Sequence, residues 1–261
     1  MKTVIVPVDF SEISLHAAHF AAKLFVGHYG IELILYHSYS SSSEEGEVTE
    51  KLNALKAALA EKNIVKMSIL PHHESDFIEG LEKAVRHRKA DLVVMGITGK
   101  SALAQVFFGS NTLKMVETKS CPVLIVPEKA DEIDIKHAML ASDFKDSLNV
   151  TPSGPIKDFL KVFKPTLHIV NVDKDHYISL TESYEKEKAV LEGMFSEFNP
   201  EFYFMRLYDI DEALHLFAEE KNIDLIIAIH KKHSFLDRLF NSSTTKALLY
   251  HSSIPILVMH E

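Results

Sequence analysis

The two halves of the chain have similar sequences, and this internal repeat constrains the fold more than any other feature of the sequence. The matching pairs are Thr3–Glu12 with His137–Asp146, Ala90–Gly96 with Ile223–Ile229, and Cys121–Glu128 with Ile254–Glu261. From Asp91 and its counterpart Asp224 onwards, the copies align without a gap as far as Pro122 and Pro255. Three matches in one order indicate a tandem duplication, which predicts one domain at residues 1–129 and a second at 130–261.

Apolar runs of strand length alternate with helical segments in both copies. The predicted strands of the first copy are Val4–Val8, Ile31–Ser38, Val65–Leu70, Asp91–Met95 and Val123–Val126. These runs are apolar on both faces, which is typical of a parallel sheet covered by helices on both sides. The predicted fold is therefore α/β: two tandem, open-twisted, mostly parallel five-stranded sheets flanked by helices.

The first crossover helix is expected to differ between the copies. In the first copy, Ser11 precedes an apolar pattern of helical spacing and is a good N-cap residue. In the second copy, Pro152 and Pro155 interrupt the corresponding segment. Because proline is well tolerated at the first helical position, we expect this helix to begin at Pro155, after a longer loop.

Composition excludes some classes of function. The formal net charge of −9 argues against nucleic acid as a partner, because such proteins carry a basic face. The sequence shows neither a signal-peptide core nor an apolar run long enough to span a membrane. The single cysteine, Cys121, excludes an intrachain disulfide and fits a reducing compartment. We expect a cytoplasmic protein in which Cys121 is buried rather than reactive.

Three glycines and a serine follow the fourth predicted strand of the first copy: Gly96, Gly99, Gly109 and Ser110. Ligands of open α/β sheets bind beyond the carboxyl ends of the strands. There, a glycine-rich loop and a helix N-terminus can present N–H groups to phosphate, and Lys100 would add a positive charge. A turn and helix cap without any ligand stays open, since neither G-x-G-x-x-G nor G-x-x-x-x-G-K-S/T is present.

The complete spacing, G-x-x-G, nine residues, then G-S, is similar to the ATP-binding signature of the universal stress protein family. "VIVPVDFSEISLHAAHFAAKLF" resembles the first strand and helix of that family, "LILYHSY" its second strand and "CPVLIVP" its last strand. The resemblance covers residues 1–129 and, more weakly, 130–261. It implies a Rossmann-like fold of the adenine nucleotide alpha hydrolase-like kind in each copy, and ATP as the ligand, with Mg²⁺ left open.

The resemblance also implies roles for single residues. Asp9 would face the adenine and ribose, the backbone of Ser38 would face the adenine, and Met95 and Gly96 would lie near the ribose. Gly99 and Gly109, with Ser110 and Asn111, would hold the phosphates. The full set of expected nucleotide contacts is Pro7, Asp9, Ser38, Met95, Gly96, Gly99, Lys100, Gly109, Ser110 and Asn111.

The second copy lacks all three glycines. Alignment places Ile229, Lys232 and Ser242 at their positions, and side chains there would occupy space that the backbone needs in order to approach a ligand. Any left-handed conformation would also cost about 1 kcal/mol or more per residue. We therefore predict that this copy does not bind ATP in the same way.

Three further segments have open interpretations. His230–His233, "HKKH", could bind an anion or a metal, although metal sites usually need three or four ligands; a solvated loop is the alternative. His72–Glu74 follows the third predicted strand and is expected to form a surface loop or to reach the nucleotide edge. Ser41–Glu50 is expected to be a solvated loop and helix start, or a flap over the pocket.

The expected function is regulatory: an ATP-binding stress-response protein with nucleotide in the first domain. A slow ATPase or phosphotransferase is one alternative, although no catalytic residues can be assigned. An interaction protein without nucleotide is the other. The resemblance further implies that the last strands of the two domains pair, which makes one chain a pseudo-dimer; association into homodimers and the identity of protein partners stay open.

Overall fold

The computed structural model describes residues 1–62, 65–97, 110–131, 134–173, 182–206, 210–230 and 253–261. The chain forms two compact units, Met1–Glu132 and Ile133–Glu261. The expected sites Gly99, Lys100 and Gly109 lie outside the described residues.

The first unit is a parallel five-stranded sheet covered by helices. Its strands are β1 (Thr3–Pro7), β2 (Glu32–Tyr39), β3 (Lys66–His73), β4 (Leu92–Ile97) and β5 (Val123–Pro127), and its helices are α1 (Glu12–Leu24), α2 (Glu45–Lys62), α3 (Phe77–Arg88) and α4 (Ser110–Glu117). The strand order is β3-β2-β1-β4-β5, and every pairing within it is parallel. This confirms the predicted fold class.

The second unit repeats this arrangement. Its strands are β6 (His137–Ala141), β7 (Thr166–Asp173), β8 (Glu201–Arg206), β9 (Leu225–His230) and β10 (Ile256–His260), and its helices are α5 (Ser147–Val150), α6 (Ser153–Phe163), α7 (Glu182–Phe195) and α8 (Ile210–Glu220). The order β8-β7-β6-β9-β10 is again fully parallel. The central strands of both units are buried on both faces, which explains their continuous apolar runs.

The first crossover helices begin as differently as the sequence suggests, though not at the expected residue. Ser11 caps α1, and its hydroxyl accepts a hydrogen bond from Ser14 N. In the second unit, α6 begins at Ser153, two residues before Pro155, and the short helix α5 precedes it. The expectation of a start at Pro155 was wrong. A proline fits the first turn of a helix because the backbone N–H groups of that turn have no partner within the helix.

In each unit, one carboxylate accepts hydrogen bonds from the backbone at the start of the central strand. Asp91 accepts hydrogen bonds from Lys2 N at 2.7 Å and Thr3 N at 2.9 Å. Asp224 accepts them from Lys136 N at 2.8 Å and from the next residue's N at 2.9 Å. The same pair of contacts in both units is direct structural evidence of the duplication.

Removing either carboxylate should therefore weaken its own unit. We expect Asp91→Ala and Asp224→Ala each to lower the free energy of unfolding by about 1–2 kcal/mol, because two backbone donors lose a charged acceptor. Urea unfolding followed by hydrogen exchange in each unit measures this. Asp134→Ala is the control: Asp134 is 79% exposed and forms an ion pair with Lys136 at 3.4 Å, so its loss should change stability by less than about 0.5 kcal/mol.

Candidate functional site

The strand order places a crevice at one defined position in the first unit. From β1 the chain moves outwards to β2 and β3, then crosses back to β4 on the other side of β1 and continues to β5. Helical crossovers that leave in opposite directions open a crevice beyond the carboxyl ends of β1 and β4. Asp9 follows the end of β1, Gly96 lies near the end of β4, and Ser110 is the first residue of α4.

The carboxylate of Asp9 is held in place by the first turn of α1. Its Oδ1 accepts hydrogen bonds from Ser11 N at 3.0 Å and from the Ser11 hydroxyl, while Asp9 N donates to Ser14 Oγ at 3.2 Å. Burial raises the pKa of Asp9, but the hydrogen bonds from Ser11 and Ser14 outweigh it, so the pKa lies below the ordinary value. The side chain is thus an oriented anion at neutral pH, suited to accept hydrogen bonds from a ligand.

Phe10 adopts a strained backbone conformation beside this carboxylate. Its φ is +63°, a left-handed value that costs a non-glycine residue about 1–2 kcal/mol. The ring packs at 5.0 Å from the His37 ring and lies under Lys51 Nζ at 5.7 Å. His37 Nδ1 in turn contacts Val8 O at 2.5 Å. Neither the strain nor the His37 contact could be predicted from the sequence.

Gly96 has a structural reason to be glycine that is independent of any ligand. A Cβ at this position would lie 2.6 Å from Ile13 Cγ2 and 2.7 Å from Ile13 O in α1. Thr112 of α4 is buried and donates its hydroxyl proton to Gly96 O at 2.9 Å. Close packing of α1 and a side-chain hydrogen bond from α4 therefore fix the end of β4 against both helices.

The other expected contacts within the described residues divide between core and surface. Met95 is buried in β4, and Pro7 is buried at the end of β1. Ser38 is half-buried in β2, opposite His72 of β3. Asn111 is exposed in the first turn of α4. The described geometry thus brings Asp9, Gly96 and the start of α4 to the same end of the sheet.

The segment His72–Glu74 does not form the expected loop. His72 and His73 belong to β3, whose pairing with β2 continues to the Tyr39–His73 pair. The His73 ring packs 5.4 Å from the Tyr39 ring, and its Nε2 contacts Ser40 O at 3.1 Å. Glu74 accepts a hydrogen bond from Lys83 Nζ at 2.6 Å. Pairing between strands that are distant in sequence lengthens β3 beyond its apolar run.

The second unit has a different environment at the corresponding crevice. Phe144 occupies the position of Phe10 with a similar φ of +52°, but it is only 3% exposed. Its ring packs against Tyr184 at 6.1 Å, Phe204 at 5.2 Å and Phe202 at 6.3 Å. At the end of β9, Ile229 replaces Gly96 and is buried. Aromatic side chains therefore enclose a position that is half-buried in the first unit.

The segment "HKKH" lies only partly within the described residues. His230 is the last residue of β9, and its ring packs 5.9 Å from that of His260; the other three residues of the segment lie outside the described residues. Within the described ranges, no group of three His, Cys, Asp or Glu side chains could hold a metal ion.

Cys121 is buried, as expected, and burial raises the pKa of its thiol to about 12, which disfavours a reactive thiolate.

Together, the parallel sheets, the strand order and the crevice define a Rossmann-like α/β fold. The model of the universal stress protein family matches residues 1–127 and 164–260. The chain therefore belongs to the universal stress protein family, in a tandem two-domain form.

Of three relatives compared with this chain, two match about half of it and one matches nearly all of it. A universal stress protein of Methanocaldococcus jannaschii is 31% identical over 148 residues, which cover 50% of this chain and 85% of that protein. The crystal structure of a universal stress protein from Archaeoglobus fulgidus is 18% identical, with a TM-score of 0.72, covering 99% of this chain and 96% of that one. A universal stress protein solved in complex with cAMP is 25% identical, with a TM-score of 0.39, covering 48% of this chain and 95% of its own; the cAMP is a ligand of that protein.

No helix within the described parts of the chain is long and apolar enough to cross a membrane.

Proposed function

We propose that the first unit binds ATP at the carboxyl ends of β1 and β4, and that nucleotide occupancy regulates the protein in a stress response. The observation that carries this proposal is the meeting of an oriented carboxylate, Asp9, and the N-terminus of α4 at one crevice of the sheet. A carboxylate can accept hydrogen bonds from the ribose or adenine, and a helix N-terminus favours phosphate. Membership of the universal stress protein family supports the same ligand.

Each expected contact keeps a proposed role. Asp9 and Pro7 would border the adenine and ribose with the backbone of Ser38 and Met95, and Gly96 would let α1 and the ligand approach the end of β4. Gly99, Lys100 and Gly109, with Ser110 and Asn111, would surround the phosphates. Mg²⁺ bound through the phosphates is compatible with this set, because such ions are held largely by phosphate and water.

The second unit is proposed not to bind ATP in the same way. Phe144, which follows Asp143, is buried among aromatic side chains, and Ile229 introduces a large side chain where the first unit has glycine. The domain limits at 129 and 130 and the pseudo-dimer rest on the repeat and the family resemblance. A cytoplasmic location rests on the single cysteine. They remain proposals.

The decisive experiment identifies and counts the nucleotide that purified protein releases on denaturation, by mass spectrometry. We expect about one ATP per chain, and none after Gly99→Val combined with Gly109→Val, since side chains there would block backbone contacts with phosphate. Gly30→Ala is the matched control, because a Cβ at Gly30 has nothing within 4 Å.

Two ATP per chain would contradict the assignment to one unit. No ATP, with no thermal shift on its addition, would favour the interaction protein, and turnover lost on Gly109→Val would favour the ATPase.

A further inference from the structure

A chain of titratable side chains crosses the amino-terminal ends of β6, β7 and β8 in the second unit. His137 Nδ1 lies 3.2 Å from His168 Nε2, and His168 Nδ1 lies 3.3 Å from Glu201 Oε2. Tyr203 donates its hydroxyl proton to the same carboxylate oxygen at 2.6 Å. These residues lie at the opposite ends of the strands from the crevice, so the cluster is separate from any site formed there.

The central histidine of this cluster is buried. His168 is 3% exposed, and the rings of Tyr203 and Phe217 pack 5.7 Å and 6.0 Å from its ring. Lys221, which follows α8, lies over the Tyr203 ring at 5.1 Å. A positive charge on His168 would thus be removed from water with one carboxylate beside it, and with His137 and Lys221 nearby.

The two histidines share one hydrogen bond in the neutral cluster. One of the facing nitrogens donates and the other accepts, and either arrangement of tautomers satisfies the contact. His168 Nδ1 lies 3.3 Å from Glu201 Oε2, yet it makes no hydrogen bond to any described residue. A second proton on His168 would therefore be a buried charge beside a carboxylate to which the neutral ring is not hydrogen-bonded.

The fold itself does not require a histidine at this position. His168 pairs with Met139 and Glu201 as Ile34 pairs with Ile5 and Ser68 in the first unit. Ile34 is also 3% exposed. The same buried strand position is therefore apolar in one copy and titratable in the other.

We propose that His137, His168 and Glu201 form a proton-sensitive switch that loosens the packing of β8 and α8 on β7 when the protein is acidified. Neutral His168 lies between two aromatic neighbours and contacts His137 and Glu201. Protonated His168 carries a buried charge whose loss of hydration outweighs the attraction of Glu201. The second unit then opens more often, while the corresponding apolar position in the first unit has no group that can respond.

The sign of the effect follows from the proton affinities of the folded and unfolded chain. Burial is the main cause that lowers the pKa of His168; Glu201 opposes it, and His137 and Lys221 add to it, so the folded pKa lies below the ordinary value of 6.5. Between these two pKa values the unfolded chain binds more protons, so the free energy of unfolding falls as pH falls through 6.5. The opening equilibrium should rise by up to about tenfold per pH unit in this window.

Hydrogen exchange of the full chain, followed by mass spectrometry from about pH 8 to about pH 5 and corrected for intrinsic exchange rates, tests the proposal. Peptides covering β7 and β8 should open more readily at acidic pH in the wild type. His168→Ile, which introduces the residue of the first copy, should flatten this dependence. An equal pH dependence in both proteins would overturn the switch.

A second measurement keeps the test valid if His168→Ile fails to fold. An NMR titration of the imidazole carbons should place the pKa of His168 below 6.5, and Glu201→Gln should lower it further, because the variant removes the negative charge that lies 3.3 Å from His168 Nδ1. A pKa at or above 6.5, or no change in Glu201→Gln, would contradict the proposal. So would a titration that EDTA alters, since that would indicate a metal rather than a proton between the two rings.

Discussion

Replacing Phe144 with alanine is expected to lower the free energy of unfolding of the second unit by about 3–5 kcal/mol. The ring is 3% exposed and packs against Tyr184, Phe204 and Phe202. Alanine would leave a cavity lined by three aromatic rings, and these rings belong to a strand and a helix that cannot close on it without moving. The strained φ of +52° would remain, so nothing offsets the lost packing.

Phe10→Ala is the matched variant, because the residue has the same position and a similar φ in the first unit. Its ring is half-buried, packs against His37 and lies under Lys51, so we expect a loss of only about 1 kcal/mol. Urea unfolding combined with hydrogen exchange in each unit separates the two effects, since the units need not unfold together. Equal losses in the two variants would show that the second crevice is no more enclosed than the first.

The difference between these phenylalanines could not be read from the sequence. Asp9-Phe10 and Asp143-Phe144 match letter for letter, which predicts the same environment for both. The rings that enclose Phe144 come from α7 and β8, which are distant along the chain. Side-chain packing of this kind is a tertiary property, whereas the repeat reports only local pattern.

The strands were predictable because burial on both faces demands continuous apolar runs. Their ends were less predictable where pairing, rather than composition, decides. The apolar run of β3 ends at Leu70, but its parallel partner β2 continues, and the ladder extends to His73. Likewise, α6 begins at Ser153 because a helix can accept Pro155 in its first turn, where no N–H partner is lost.

The places of two candidate residues in the fold were predictable, whereas the contacts around them were not. The sequence predicts Asp9 after the first strand and Ser110 at the start of a helix, and the structure has them there; their contacts with a nucleotide stay predictions. The close approach of Gly96 to Ile13 and the contact of half-buried His137 with buried His168 join segments far apart in sequence. Such contacts follow from the register of strands and helices, which periodicity alone does not determine.

Gly96→Ala is expected to destabilise the first unit by about 1–3 kcal/mol and to weaken nucleotide binding in the same protein. The added Cβ would lie 2.7 Å from Ile13 O, a backbone atom of α1, so relief requires the helix to move rather than a side chain to rotate. Because the same first turn carries Ser11 and Ser14, which orient Asp9, a shifted α1 would also misplace that carboxylate. A ligand that depends on Asp9 should therefore bind at least about tenfold more weakly.

Gly46→Ala separates this packing effect from a general effect of replacing glycine. Gly46 lies in α2 with nothing within 4 Å of an added Cβ, so stability should stay unchanged or rise by up to about 1 kcal/mol. Thermal unfolding and titration with ATP measure both properties in each variant. Wild-type stability in Gly96→Ala would refute the packing role of the glycine. Lost stability with unchanged nucleotide affinity would instead show that the end of β4 and the orientation of Asp9 do not govern the ligand.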